Sequence, residues 1–267
     1  MLTRTDERLH RHRRERSQTY DETVTARPYL CFCIMAMLFL SSKSVGQPSP
    51  SVEAFPTFRK GARVLFQGDS ITDGNRGRSE DPNHILGHGY VFIIAAKYGA
   101  AFPERNLKFF NRGVSGNKVT DLAGRWQKDS LDLKPDVLSI LIGVNDNSIN
   151  LPLDEYEQIY DSLLSDVRAV NPDVRLVLCE PFTLPVGNKK TEWDQWSTGI
   201  KHRQKIVAKL AQKYHAALVR FQQAFDAACE KAPAEHWIWD GVHPTYSGHQ
   251  IMADEWVRAV REFWPNP

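Results

Sequence analysis

An α/β protein, a three-layer α/β/α sandwich with a five-stranded parallel sheet, is what this sequence predicts, on three observations. From Gly61 onward, short apolar runs rich in β-branched and aromatic residues alternate with longer stretches of helical period. The short runs are mostly apolar and lack a regular polar alternate, as expected of strands covered by helices on both faces. Polar residues and glycines gather directly after those runs, where open parallel sheets bind their ligands.

The elements follow in order. The first strand is expected over 62–67 (ARVLFQ), ending in the polar GDSITDG, and the first long helix over 89–102 (GYVFIIAAKYGAAF). A strand at 107–111 (LKFFN) runs into NRGVSGN, and one at 136–143 (DVLSILIG) runs into GVND. The helix over 153–170 (LDEYEQIYDSLLSDVRAV) repeats apolar residues every three or four positions. A strand at 174–180 (VRLVLCE) leads into a polar insertion, TLPVGNKKTEWDQW, before a helix over 197–215. The last strand is expected at 216–221 (AALVRF), then WDGVHPTYSGH, and the final helix over 245–264. No internal repeat is apparent, and one domain over 61–267 accounts for the pattern.

Composition narrows the function classes. A chain of 267 residues with 42% hydrophobic content can bury one core of catalytic size. Residues 1–46 hold eight of the 34 Lys and Arg and five of the 32 Asp and Glu, which leaves 26 against 27 in the body. A near-neutral body without a basic run argues against nucleic acid as a partner, because phosphate binding needs a clustered cationic face. The basic RLHRHRRER belongs to the N-terminal extension, where a charge run reads as solvated.

That extension, 1–46, carries an apolar core of 12 residues at 29–40, short for a membrane span and right for a signal peptide. Arg27 supplies the positive flank, Ser44, Val45 and Gly46 a small-residue cleavage site, and 47–60 (beginning QPSPS) reads as a linker. The expectation is export to the periplasm or the medium, with no stable membrane contact after signal removal; an uncleaved membrane anchor is the rival reading. Cys179 and Cys229 then remain, too few for a disulfide scaffold, and read as a single pair or as two separate buried thiols.

The chemistry is sought at the strand ends. A serine hydroxyl becomes a competent nucleophile when a base takes its proton and a third group fixes that base's tautomer. Ser70, His243 and Asp240 can fill these roles, since the glycine turn of DGVH can set an Asp and a His three residues apart side by side. Donors for the developing oxyanion are expected from the backbone N–H groups of Ser70 and Gly113 and the side-chain amide of Asn145. Ser115 is the competing nucleophile, but a G-x-S-x-G elbow would need glycine where Asn117 stands. His84 and His88 have metal-ligand spacing, yet Pro82, Gly87 and Gly89 make their segment a loop, so no metal site is expected. His249, one turn into the last helix, is a reserve base.

Together these blocks resemble the SGNH hydrolase family, also called GDSL esterases and lipases, over residues 62–267. GDSITDG is similar to the family's first block, NRGVSGN to the second, GVND to the third and DGVHP to the last, in the family's order. The resemblance implies a flavodoxin-like fold, Ser70 as nucleophile, Gly113 and Asn145 in the oxyanion hole, Asp240 and His243 completing a triad, and ester hydrolysis without metal or organic cofactor. Asp69, next to the nucleophile, supports the loop, and Asp69 and Trp239 are the side chains expected to border a substrate. Trp193, Trp196, Trp237 and Trp239 offer flat apolar faces for sugar rings, or else seal loops onto the core. With no long apolar lid between the blocks, the expected substrate is a small-molecule or carbohydrate ester carrying a short acyl group, acetyl above all. Competing readings are a lipase or lysophospholipase and a non-catalytic carbohydrate-binding domain.

Overall fold

The computed structural model describes residues 58–265. The extension and signal segment expected over 1–46, and the linker up to residue 57, lie outside the described residues. Phe58, which the sequence places in the linker, is buried in the core, and Arg59 pairs with Asp136 at 2.6 Å.

Five parallel strands form one sheet: β1 (Arg63–Gly68), β2 (Lys108–Asn111), β3 (Val137–Leu141), β4 (Arg175–Cys179) and β5 (Ala217–Val219), in the order β2-β1-β3-β4-β5. The chain leaves β1 to one side to make β2, then returns to the other side for β3. The crevice at the carboxyl ends of β1 and β3 is therefore the topological switch point, where such sheets bind ligands. The β1–β3 register runs from Val64 opposite Val137 to Gly68 opposite Leu141, so the two strands end level.

The helices are α1 (Ser70–Asp73), α2 (Tyr90–Ala101), α3 (Val119–Trp126), α4 (Val144–Ser148), α5 (Leu153–Val170), α6 (Trp193–Lys213), α7 (Phe221–Cys229), α8 (Ala234–Trp237) and α9 (Tyr246–Phe263). Strand residues alternate between two buried clusters, as the period of two demands. Val64, Phe66, Val177 and Cys179 join α2, α7 and α9 on one face, while Leu65, Leu138, Ile140, Leu176 and Leu178 join α3, α5 and α6 on the other. Trp256 of α9 lies fully buried, its indole N–H donating to Ser139 Oγ at 2.9 Å.

Two expectations need correction. The last strand ends at Val219, and Phe221 opens α7, because Phe221 and Phe225, one turn apart, both fill the core against Phe182. The polar insertion after β4 holds a short 3-10 turn (Gly187–Lys190), and α6 starts at Trp193, so Trp193 and Trp196 are helical residues. Asp194 in the first turn favours that early start through the helix dipole. Both Cys179, which is buried, and Cys229 are free thiols. Among the described residues no helix is long and apolar enough to cross a membrane.

Candidate active site

Ser70 stands just past the end of β1, as the first residue of α1. Asp69 caps that turn, its carboxylate accepting the Ile71 N–H at 3.0 Å. Being only 1% exposed, Asp69 lies beneath the cleft and not on its wall, so the expectation that it borders a substrate is replaced by a capping role. Burial raises its pKa to about 7, against the pull of the Ile71 N–H and of His243.

The structure brings the three expected catalytic side chains together. Ser70 Oγ lies 2.8 Å from His243 Nε2, and His243 Nδ1 lies 2.7 Å from Asp240 Oδ2. The second carboxylate oxygen of Asp240 accepts the backbone N–H groups of Val242 at 2.9 Å and His243 at 2.7 Å, so the DGVH turn closes on its own acid. Burial works to raise the Asp240 pKa, but the hydrogen bonds from the His243 N–H, its ring and the Val242 N–H outweigh it and hold the carboxyl below its usual value. An ionised Asp240 keeps the proton on Nδ1 and leaves the Nε2 lone pair for the serine hydroxyl.

His249 does not join them. It is 8% exposed and accepts the Tyr90 N–H on Nδ1 at 3.2 Å, while burial, His88 and His243 lower its pKa to about 4. A buried, neutral imidazole tying α9 to α2 is a structural group.

Of the three groups expected to donate to an oxyanion, the Gly113 N–H is already engaged. The Gly113 N–H donates to Asn111 Oδ1 at 2.9 Å, and the residue is pressed so closely on α1 that a Cβ would lie 2.3 Å from the Asp73 nitrogen. Gly113 is thus a packing glycine whose donor is already used. Three residues on, Gly116 is exposed, has φ +81°, and its N–H has no protein partner among the described residues. Its loop is pinned on both sides, by the Ser115 N–H donating to Asp73 Oδ2 at 3.0 Å and by the Asn145 side-chain amide donating to the Asn117 carbonyl at 3.0 Å. The Asn145 amide keeps a second hydrogen, and the Ser70 N–H, first in its helix, has no intrahelical partner. The sequence signal for Gly116 was the turn-forming Ser-Gly-Asn within NRGVSGN.

Residues behind the site fix these loops. Asp73, buried, takes both terminal nitrogens of Arg78 at 3.0 and 2.7 Å. Burial would raise the Asp73 pKa, but Arg78 and the Ser115 and Arg76 N–H groups bring it below its usual value. Asp146 of α4 accepts the Val119 N–H at 2.9 Å, and burial raises its pKa to about 6. From α6, buried Arg203 donates to Asn147 Oδ1 and to the carbonyls of Asp146 and Leu151, clamping α4.

Of the four tryptophans, Trp239 alone stands largely in solvent, 65% exposed, its ring stacked on His243 with centroids 6.4 Å apart. Trp196 donates its indole N–H to Thr183 Oγ1 at 2.8 Å, Trp237 donates to the Ala232 carbonyl at 3.2 Å, and both pack on the core.

A parallel α/β sheet with this polar constellation at its switch point is the build of a carboxylic ester hydrolase. The chain belongs to the GDSL-like lipase/acylhydrolase family, whose model matches residues 66–251. It is 34% identical over 216 residues to an acetylxylan esterase of Geobacillus stearothermophilus, covering 76% of this chain and 96% of that one. A crystal structure of a catalytic mutant of an acetylxylan esterase from the same organism superposes with a TM-score of 0.69 at 31% identity, over 79% of this chain and 99% of the other. An α/β hydrolase from the metagenome of Lake Arreo matches with a TM-score of 0.66 at 32% identity, over 76% and 96%.

Proposed function

We propose that this chain is a serine esterase that removes acetyl groups from a carbohydrate through a Ser70–His243–Asp240 triad. The observation that carries the reading is the unbroken hydrogen-bonded chain from Ser70 Oγ through both ring nitrogens of His243 to Asp240, at 2.8 and 2.7 Å. In the first step Ser70 Oγ attacks the ester carbonyl as its proton passes to His243 Nε2, and Asp240 stabilises the resulting imidazolium. The carbonyl oxygen becomes an oxyanion facing the Ser70 and Gly116 N–H groups and the free hydrogen of the Asn145 amide. Collapse expels the sugar alcohol, which takes the proton from Nε2, and leaves an acetyl-serine. Water, deprotonated by the same nitrogen, then releases acetate.

The acetyl and carbohydrate parts of the reading rest on the similarity to an acetylxylan esterase and on the open Trp239 face beside His243. Export belongs to the same reading, supported by the 12-residue apolar core behind Arg27. The test compares p-nitrophenyl acetate with p-nitrophenyl octanoate, for wild type and Ser70→Ala. Acetate-preferring turnover that falls by about 10⁴-fold or more in the variant is expected. Octanoate preference would move the substrate to lipids, and unchanged turnover in Ser70→Ala would refute the nucleophile.

A further inference from the structure

Beside the catalytic loop lies a second cavity, of about 410 Å³, between α4 and α6. Helix α4 carries Asn145 near its start and turns Asn147 and Ser148 toward the cavity. Lys189 lines the cavity as well, while its Cβ and Cγ abut Gly241, between Asp240 and His243. Trp196 forms another part of the wall and is tied to the same loop, because Thr183 Oγ1 accepts from its indole and donates to the Gly241 carbonyl at 2.7 Å.

On α6 the lining positions Gln195, Gly199 and His202 are four and three residues apart, which sets them along one face of the helix. Gly199 brings that face close: a Cβ there would lie 2.0 Å from Asn147 Oδ1.

The lining discriminates between ligand classes. An anion site would need free cations, and the two strong ones are engaged. Arg203 donates to Asn147 and to the Gly199, Asp146 and Leu151 carbonyls, and the Lys189 ammonium sits 3.6 Å from the centre of the Trp196 ring. What remains uncommitted is neutral or mixed in character: the amides of Asn150 and Gln195, the imidazole of His202 and the carboxylate of Glu192 have no protein partner among the described residues. Leu151, Pro152 and Leu153 add an apolar floor. Amides, an imidazole and a carboxylate over an apolar floor suit a neutral polyhydroxylated ring.

We propose that this cavity is a distal sugar subsite, holding a ring of the glycan further along the chain from the unit whose ester Ser70 cleaves. The inference rests on the carbohydrate reading above and deepens it: the substrate is an acetylated oligosaccharide or polysaccharide, and a lone acetylated sugar is a poorer one.

The test measures kcat/KM on O-acetylated xylose, xylobiose and xylotetraose, with p-nitrophenyl acetate alongside, for wild type and Gln195→Ala/His202→Ala. Both positions are surface sites on a helix that alanine favours. In the wild type kcat/KM is expected to rise with chain length. In the double variant that gain falls about tenfold, through KM, as expected for one or two lost hydrogen bonds, with p-nitrophenyl acetate unchanged. Length-independent turnover in the wild type, or an undiminished gain in the variant, overturns the subsite while leaving the esterase reading intact. Turnover of p-nitrophenyl acetate without turnover of any acetylated sugar overturns the carbohydrate reading itself.

Discussion

Each side chain around Ser70 has a separable duty, and single substitutions should divide them. Asp240→Asn preserves shape but no longer favours the Nδ1 proton, so kcat should fall by about 10⁴-fold with the fold intact, checked by pre-steady-state acetyl release and circular dichroism. Asn145→Ala removes one of the proposed oxyanion donors and should cost roughly 10²- to 10³-fold in kcat with KM little changed. Asp69 supplies a pH signature. Its carboxyl holds a proton up to about pH 7 when folded but releases it near the ordinary 3.8 when unfolded. Between those values the native state binds more protons, so the stability Asp69 contributes falls as pH rises. Asp69→Asn keeps the cap and removes that slope, so its Tm relative to wild type should climb between about pH 4 and pH 7. A constant difference across that range would refute the assignment. Buried His249 runs the other way: its pKa is depressed from 6.5 to about 4, so its contribution is lost as pH falls through that window.

At the scale of elements, α9 anchors one face of the sheet. Trp256→Ala should cost about 3–5 kcal/mol, since it empties a buried indole site and strips Ser139 of its donor. For a domain of this size that is roughly a 10 °C fall in Tm, measurable by calorimetry. The strands and long helices were legible in the sequence because their signal is local: an unbroken apolar run, or a period near four. The meeting of Ser70, His243 and Asp240 was legible for a related reason, since Asp240 and His243 share one turn and Ser70 follows directly on a strand. Gly116 was not distinguishable from Gly113, because the difference is tertiary: it depends on which glycine touches Asp73 and whose N–H Asn111 consumes. The early start of α6 was hidden in the same way, as Trp196 is helical but owes its place to Thr183 and the core. Shorter α4 and α8 carry too few residues for periodicity to announce them.

Across the molecule, charge stabilisation in the proposed reaction comes from N–H donors and one imidazole, so dialysis against EDTA should leave ester turnover unchanged. A metal-dependent loss would require a different mechanism. The joining of Ser70 to His243 across 173 residues of chain bears on how activity is acquired. The proposed nucleophile and the proposed oxyanion amide arrive with β1 and β3, neighbouring strands that can pair early. The base comes in only when the segment after β5 has folded back and α9 has docked against α2. Loop-closure entropy makes such distant contacts late events. During refolding from denaturant, sheet signals in the far-ultraviolet should therefore recover before ester turnover. A chain that has built its sheet but not seated its last helix would be compact yet inert, a built-in delay between assembling the scaffold and arming the serine.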